Sequence, residues 1–355
     1  MNLKNTIKYF LLLFVSFKSF AQVKPQKVDL DKFSFNVNYQ ILPKKFVAFE
    51  KRVFSTETVV GNDFASYYPN VITLRNRVDL YGWKRGPRTS NVDVEVILKS
   101  FTLGEPKLET RIDESKDKNG VVVKTTYYFV TAKIEAKGSA IVKVKALLNE
   151  SGKDEEIVYP FDKDYVYKSN NENVNPEVVK DLYKTQKTDF YNKNIIDYVD
   201  LVTYQTNNKV NKLYGFEPTT YSDNLWIIDS KDEEGAIQKE ALEAVKVIFS
   251  KMTATAPIDE IVTEMNPLIE YFDSLKTKYT ENDKSSKKIR YSAYYNLGRI
   301  YIHLDQPEKA IKEGEGLIAN DYDKKDGKRI IEDANYDLEN FKNSPLKSKH
   351  NPVLN

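Results

Sequence analysis

The hydrophobic period of this chain changes once along its length, and that change confines it to folds with a sheet-forming first half and a helical second half. From Val28 to about Tyr167 apolar side chains recur at every second position, the mark of strands with one buried face. Phe33, Phe35, Val37, Tyr39 and Ile41 alternate with polar residues until Pro43 stops the run. Ile72 and Leu74 are expected in a second strand, Val78 and Leu80 at the start of a third, and Val92, Val94, Val96 and Leu98 in a fourth. Asn119-Gly120 supplies the positive φ of a hairpin turn. The run from Val121 to Ala136 and a return from Ile141 to Leu148 are expected to flank a second turn at Lys137-Gly138-Ser139. The pattern predicts an α+β chain whose N-terminal domain is an antiparallel, sandwich-like sheet structure.

After residue 170 the period becomes helical. Asn175-Pro176-Glu177 reads as an N-cap, a first-turn Pro and a first-turn acid. A second helix is expected from Asn192 to Leu213, ended by Gly215 and Pro218, and Leu225 to Ile228 forms an apolar island of strand or docking type. Helices at 232–252 and 257–279 follow, with a break at Thr253–Pro257, a kink at Pro267 and a polar loop over 276–288. The resulting division is a leader at 1–21, a β-rich domain at 22–168, a connecting helical segment at 169–230, a helical domain at 231–345 and an unstructured, Lys-, Pro- and Asn-rich tail at 346–355.

Within the helical domain Tyr294, Leu297, Gly298, Tyr301 and Ala310 stand at offsets that let two helices cross closely, small residues at the crossing and large ones around it. Asp305-Gln306-Pro307 turns the chain between them. Over residues 291–324 this resembles one tetratricopeptide repeat. Gly314, Leu317 and Asn320-Asp321-Tyr322 depart from that pattern, which implies looser packing late in the second helix. Lys328–Phe341 is then expected as a capping helix and the two preceding helices as a degenerate repeat, since one repeat cannot bury its own faces. The resemblance implies a helical stack that binds peptides or partner helices.

The first 22 residues have a basic start, an apolar run from Tyr9 to Phe17 and a small-x-small end at Ser19 and Ala21. This is the form of an export leader cleaved after Ala21, and the apolar run is about half the ~20 residues a membrane span needs. No Cys follows it for lipid attachment. The Gln after Ala21, together with the layout of the whole chain, resembles exported proteins of Bacteroidota with C-terminal helical repeats. That resemblance implies a periplasmic or extracellular product and no particular activity. Without Lys4, Lys8 and Lys18 the chain carries 51 basic side chains against 52 acidic, so no electrostatic case for nucleic acid remains. Cysteine is absent and there are two histidines, His303 and His350, which removes thiolate chemistry and any His-rich metal site; no cofactor is implied.

Few residues stand out as functional. Tyr81 and Trp83, beside Lys84, Arg85 and Arg88, are either a glycan or anion grip or a core aromatic pair with a basic loop. Asp117–Gly120 and Asp321–Gly327 both fall short of calcium-loop spacing and read as turns. On the first repeat helix, Asn296, Arg299, Ile300 and His303 are candidates for a ligand-facing surface, and otherwise for internal contacts. No catalytic constellation emerges. The leading expectation is a non-enzymatic binding or scaffold protein of the cell envelope with a protein or peptide partner. The alternatives are a glycan-binding component of a polysaccharide-utilisation system and a glycoside hydrolase built on carboxylates alone.

Overall fold

The computed structural model describes residues 28–88, 90–144, 155–229, 233–342 and 344–353. The expected leader, the strand expected up to Leu148 and the expected Asp232 helix start lie wholly or partly outside them. The chain is α+β and separates into two compact units, 28–46 with 216–353, and 47–215. The boundaries expected at 168 and 230 fall inside these units.

In chain order the elements are β1 (Asp29–Ile41), β2 (Val53–Val60), α1 (Asn62–Ala65), α2 (Val71–Arg75), β3 (Lys84–Arg85), β4 (Val92–Leu103), β5 (Lys107–Lys116), β6 (Val122–Val144) and β7 (Glu155–Lys168). They continue with α3 (Pro176–Tyr214), β8 (Glu217–Asp229), α4 (Glu233–Phe249), α5 (Asp259–Lys278), α6 (Lys284–His303), α7 (Pro307–Ala319) and α8 (Lys324–Lys342).

The unit 47–215 is one mixed sheet, ordered β3-β2-β4-β6-β5 with β7 also on β6, covered by α3. It is not purely antiparallel, because β2 runs parallel to both β3 and β4. Val92, Val94, Val96 and Leu98 face inward as their alternation predicts, and a register shift between Leu98 and Ser100 then turns Phe101 inward. Phe101 meets Phe64 and Tyr198, while Val179 and Tyr183 of α3 pack on Val130, Ala132 and Tyr167. No turn interrupts β6 at 137–139; the strand runs through. The two helices expected over 176–213 are a single 39-residue helix, capped by the Asn175 side chain on the Glu177 N–H.

Two strands expected near residue 75 are not strands. Ile72 and Leu74 lie in α2, because Asn70 caps the Ile72 N–H and turns the chain helical. Val78 and Leu80 are buried, as their alternation requires, but they lie in no strand and no neighbouring strand pairs with their segment. The amides of Asn207 and Asn211 on α3 do so instead: Asn207 donates to the Arg77 carbonyl and accepts from the Asp79 N–H, both at 2.8 Å. Asn211 donates to the Asp79 carbonyl and accepts from the Tyr81 N–H.

In the other unit β1 pairs with β8 over thirteen positions, from Asp29↔Asp229 to Ile41↔Glu217. The Leu225–Ile228 island is therefore the inner end of a strand, and β1 does not belong to the larger sheet. Phe35, Val37, Leu225 and Ile228 enter a core with Leu242, Phe249, Phe272, Leu297 and Ile300 from α4, α5 and α6. Consecutive helices α4 to α8 pack on one another, and α4 and α6 also contact both strands. The loop over 276–288 is shorter than expected: α5 continues to Lys278 and Asp283 caps α6.

The segment expected to pack loosely, late in α7, is close-packed. A Cβ on Gly314 would stand 2.9 Å from the Gly327 carbonyl oxygen, and one on Gly327 would stand 2.7 Å from that of Gly314. Paired glycines thus let α7 and α8 touch backbone to backbone where a larger residue would hold them apart. The C-terminal tail is also ordered into the fold. Lys349, His350 and Asn351 are buried; the Gln40 N–H donates to the Lys349 carbonyl at 2.8 Å, and the Gln40 amide exchanges hydrogen bonds with the Asn351 backbone. Its polar composition reflects ion pairs and backbone contacts in place of apolar packing.

Candidate functional site

Asn296, Arg299 and His303 recur at helical spacing on the face of α6 that meets β8. The Asn296 amide accepts from the Trp226 N–H at 2.7 Å and donates to its carbonyl at 2.8 Å, so this side chain behaves as a strand partner. Ile300 is fully buried in the core. Neither Asn296 nor Ile300 faces a ligand, because the strand pair covers the face on which they lie. Tyr294, Leu297, Gly298, Tyr301 and Ala310 pack between helices: Tyr294 lies over Gly316 and Gly298 accommodates Ile330.

Arg299 and His303 converge on one buried oxygen. Arg299 donates through Nε (2.7 Å) and Nη2 (2.6 Å) to Oδ2 of Asp223, and His303 Nε2 lies 2.7 Å from the same atom. Arg299 Nη1 reaches Asp333 Oδ2 at 2.6 Å. Burial opposes the Asp223 charge, but the His303 hydrogen bond and the Arg299 guanidinium overcome it and hold its pKa down at about 2. Burial lowers His303 to about 4, more than the Asp223 contact raises it, so its imidazole is neutral near pH 7 and donates from Nε2. The rings of Phe35 and Phe249 stand edge-on to it at 5.5 and 5.7 Å. Arg299 and the neutral His303 take up Oδ2, and the Asn224 N–H donates to Oδ1 at 2.8 Å, so Asp223 serves to fix Arg299 and His303 in place.

Arg299, Ile302 and His303 form one wall of a cleft of about 340 Å³. Tyr39, Ile41 and Tyr221 from the strands line a second wall, and Asp333, Tyr336, Asp337 and Asn340 from α8 a third. The tail closes the floor through Lys349, whose ammonium donates to Asp337 at 2.6 Å and to the Ile302 carbonyl at 3.0 Å. Asp305, in a left-handed conformation at φ 56° in the α6–α7 turn, accepts from the Lys349 N–H and the Ser348 hydroxyl and so positions the tail. Burial raises the Asp337 carboxyl, and Lys349 works against that rise. Burial likewise raises Tyr39. The cleft therefore offers phenol rings and an amide between two fixed ion pairs, Arg299–Asp333 and Lys349–Asp337. Among the described residues, no group of three or more acidic or histidine side chains converges as a metal site, and no helix is long and apolar enough to cross a membrane.

The other candidate is resolved differently. Trp83 is buried, donates from its indole nitrogen to the Tyr214 carbonyl at 2.8 Å and packs edge-on to the Tyr214 ring, whereas Tyr81 is half exposed. Trp83 anchors the turn to the end of α3 and presents no face to a sugar. Sequence reasoning missed Tyr39, Tyr221, Asp223, Asp333, Asp337 and Lys349. The i, i+4 spacing of Asp333 and Asp337 on an amphipathic helix was the one signal available. No protein-family model matches the chain, and no curated protein matches it at a significant level.

Proposed function

We propose that this chain is an exported, non-enzymatic binding protein of the cell envelope, in which a tetratricopeptide-like helical stack holds the β1–β8 pair and the cleft beside it receives a short peptide segment of a partner protein. The observation that carries this reading is the occupancy of the helices' inner face. A bare stack would bind a peptide along α4 and α6, but here β1, β8 and the Asn296, Arg299 and His303 contacts already fill that space. What stays open is the cleft at the ends of these elements. Its apolar edge at Ile41 and Ile302, its tyrosines and its charges of both signs suit a peptide's mixed chemistry.

Both carboxylates in the cleft are already ion-paired, which favours holding a ligand over acid–base work. A glycan is the second reading, supported by the exposed Tyr336 ring at the rim. A photo-crosslinking residue placed at Tyr336, which is 68% exposed, tests the proposal in envelope preparations, with Tyr204 of the other unit, 62% exposed, as control. A discrete protein adduct at position 336 and none at 204 is expected. Equal labelling at both positions would overturn the peptide reading, and glycan-array binding without any adduct would replace it with the sugar one.

A further inference from the structure

The sheet of the unit 47–215 ends in a long unprotected edge. β5 pairs only with β6, and all ten of its residues are exposed. The direction of its free hydrogen-bonding groups follows from its partner. Tyr128 exchanges backbone hydrogen bonds with Asn173, on the side of β6 away from β5. Thr110, opposite Tyr128, therefore occupies a non-hydrogen-bonded position of the β5–β6 ladder and points its own N–H and C=O outward. By alternation so do Leu108 and Ile112, which are 38% and 58% exposed. An open edge with apolar side chains is a template for another strand.

We propose that this edge is a homodimer interface in which β5 pairs antiparallel with β5 of a second copy about a two-fold axis at Thr110. The sequence Lys107-Leu108-Glu109-Thr110-Arg111-Ile112-Asp113 is complementary to its own reverse in that register. Lys107 faces the partner's Asp113, Leu108 faces Ile112, Glu109 faces Arg111, and Thr110 faces itself. The hydrogen-bonded pairs are those whose N–H and C=O groups point outward, so ladder and side-chain pattern agree. Moving the axis by one residue centres it on Glu109 or Arg111 and sets like charges opposite each other; moving it to Ile112 sets Leu108 against Lys116. Directly opposed charges decide strand register in this way. Lys107 and Glu109 form no ion pair among the described residues, and Arg111, held by Glu172 at 2.7 Å and by Asp113, is preordered to meet the incoming carboxylate.

The test is sedimentation velocity of the full-length mature protein from 1 to about 200 μM, with circular dichroism as the folding control. The wild type is expected to dimerise with concentration. Lys107→Asp and Asp113→Lys each place two like-charge pairs in the interface and should each weaken dimerisation about tenfold or more. An equimolar mixture of the two variants forms a heterodimer with one native and one reversed ion pair and should recover dimers. Thr110→Pro removes an outward N–H without touching the β6 ladder and should abolish association while the fold is kept. A wild type that stays monomeric throughout, single variants that dimerise as well as wild type, or a mixture no better than its components would each overturn the proposal.

Discussion

With only two histidines, both buried, the chain allows a clean measurement of what burial of His303 costs. In the unfolded chain an imidazole titrates near 6.5; in the fold His303 is pushed to about 4, first by burial and despite Asp223. Between those values the unfolded state holds a proton that the native state lacks, so stability falls as pH drops. One such group costs about 1.4 kcal/mol per pH unit, so His303 alone removes about 2 kcal/mol between pH 6.5 and 5, before most carboxylates titrate. His350, held by the Thr253 carbonyl at 2.9 Å, is lowered too and adds a slope of the same sign. Urea denaturation of the protein at half-unit steps from pH 7.5 to 5 reads the slope directly, followed by a probe in the 28–46/216–353 unit such as Trp226 fluorescence. His303→Gln keeps a donor toward Asp223 and removes the titration, and should lower the slope by about half or more. His350→Gln should remove the remainder. If His303→Gln keeps the wild-type slope while His350→Gln abolishes it, the imidazole at 303 does not stay neutral and its assigned role as a fixed donor to Asp223 fails.

Three other outcomes follow from the packing. Arg299→Met leaves Asp223 buried without its cation, with only the neutral His303 and the Asn224 N–H as donors, and should cost about 3–5 kcal/mol by chemical denaturation, with Asp223→Asn in the same chain recovering part of the loss. Asn211→Leu strips the Tyr81 N–H and Asp79 carbonyl of their partners and should cost about 1–3 kcal/mol, read as a lowered Tm; no loss would mean that solvent meets those groups as well. Trp83→Ala should cost about 3–5 kcal/mol through the cavity it leaves, with no change in any glycan binding, and a stable variant that lost sugar affinity would contradict its structural role.

The parts of this fold that were legible in the sequence are those decided within one element. The alternation at Val92–Leu98 and in β1, the cap at Asn175 and the small residues Gly298 and Ala310 each state a local requirement. What was not legible is pairing across distance. β8 has a polar first half, and its partner lies some 190 residues earlier at the other end of the chain. Because that strand pair was invisible, a ligand-facing surface and internal contacts stayed equally readable for Asn296 and Ile300 on the face of α6 that it covers. His303 looked partnerless because Asp223 lies 80 residues upstream of it. The tail looked unstructured because composition marks Lys349 and Asn351 as polar but cannot show that Asp337 and Gln40 await them.

Side-chain amides explain how this chain closes some of its backbone edges and not others. A side-chain amide presents a donor and an acceptor spaced like those of a peptide group, so a helix bearing one at the right position can end a ladder without another strand. Asn296 does this on Trp226, Gln238 accepts from the Ile228 N–H, and the tail backbone meets Gln40 at the far end of β1. Asn207 and Asn211 do the same for the segment at 77–81. Among the described residues, no such amide stands beside the outward groups of Leu108, Thr110 and Ile112. Where this chain needs an edge closed, it spends a polar helix residue to close it. On β5 it instead alternates Lys, Glu, Arg and Asp in an order that repels itself one residue out of register and attracts itself in the register centred on Thr110. That order costs nothing to avoid if the edge is only meant to stay solvated, since any run of one charge sign would serve better. It has a physical purpose if the strand meets its own copy.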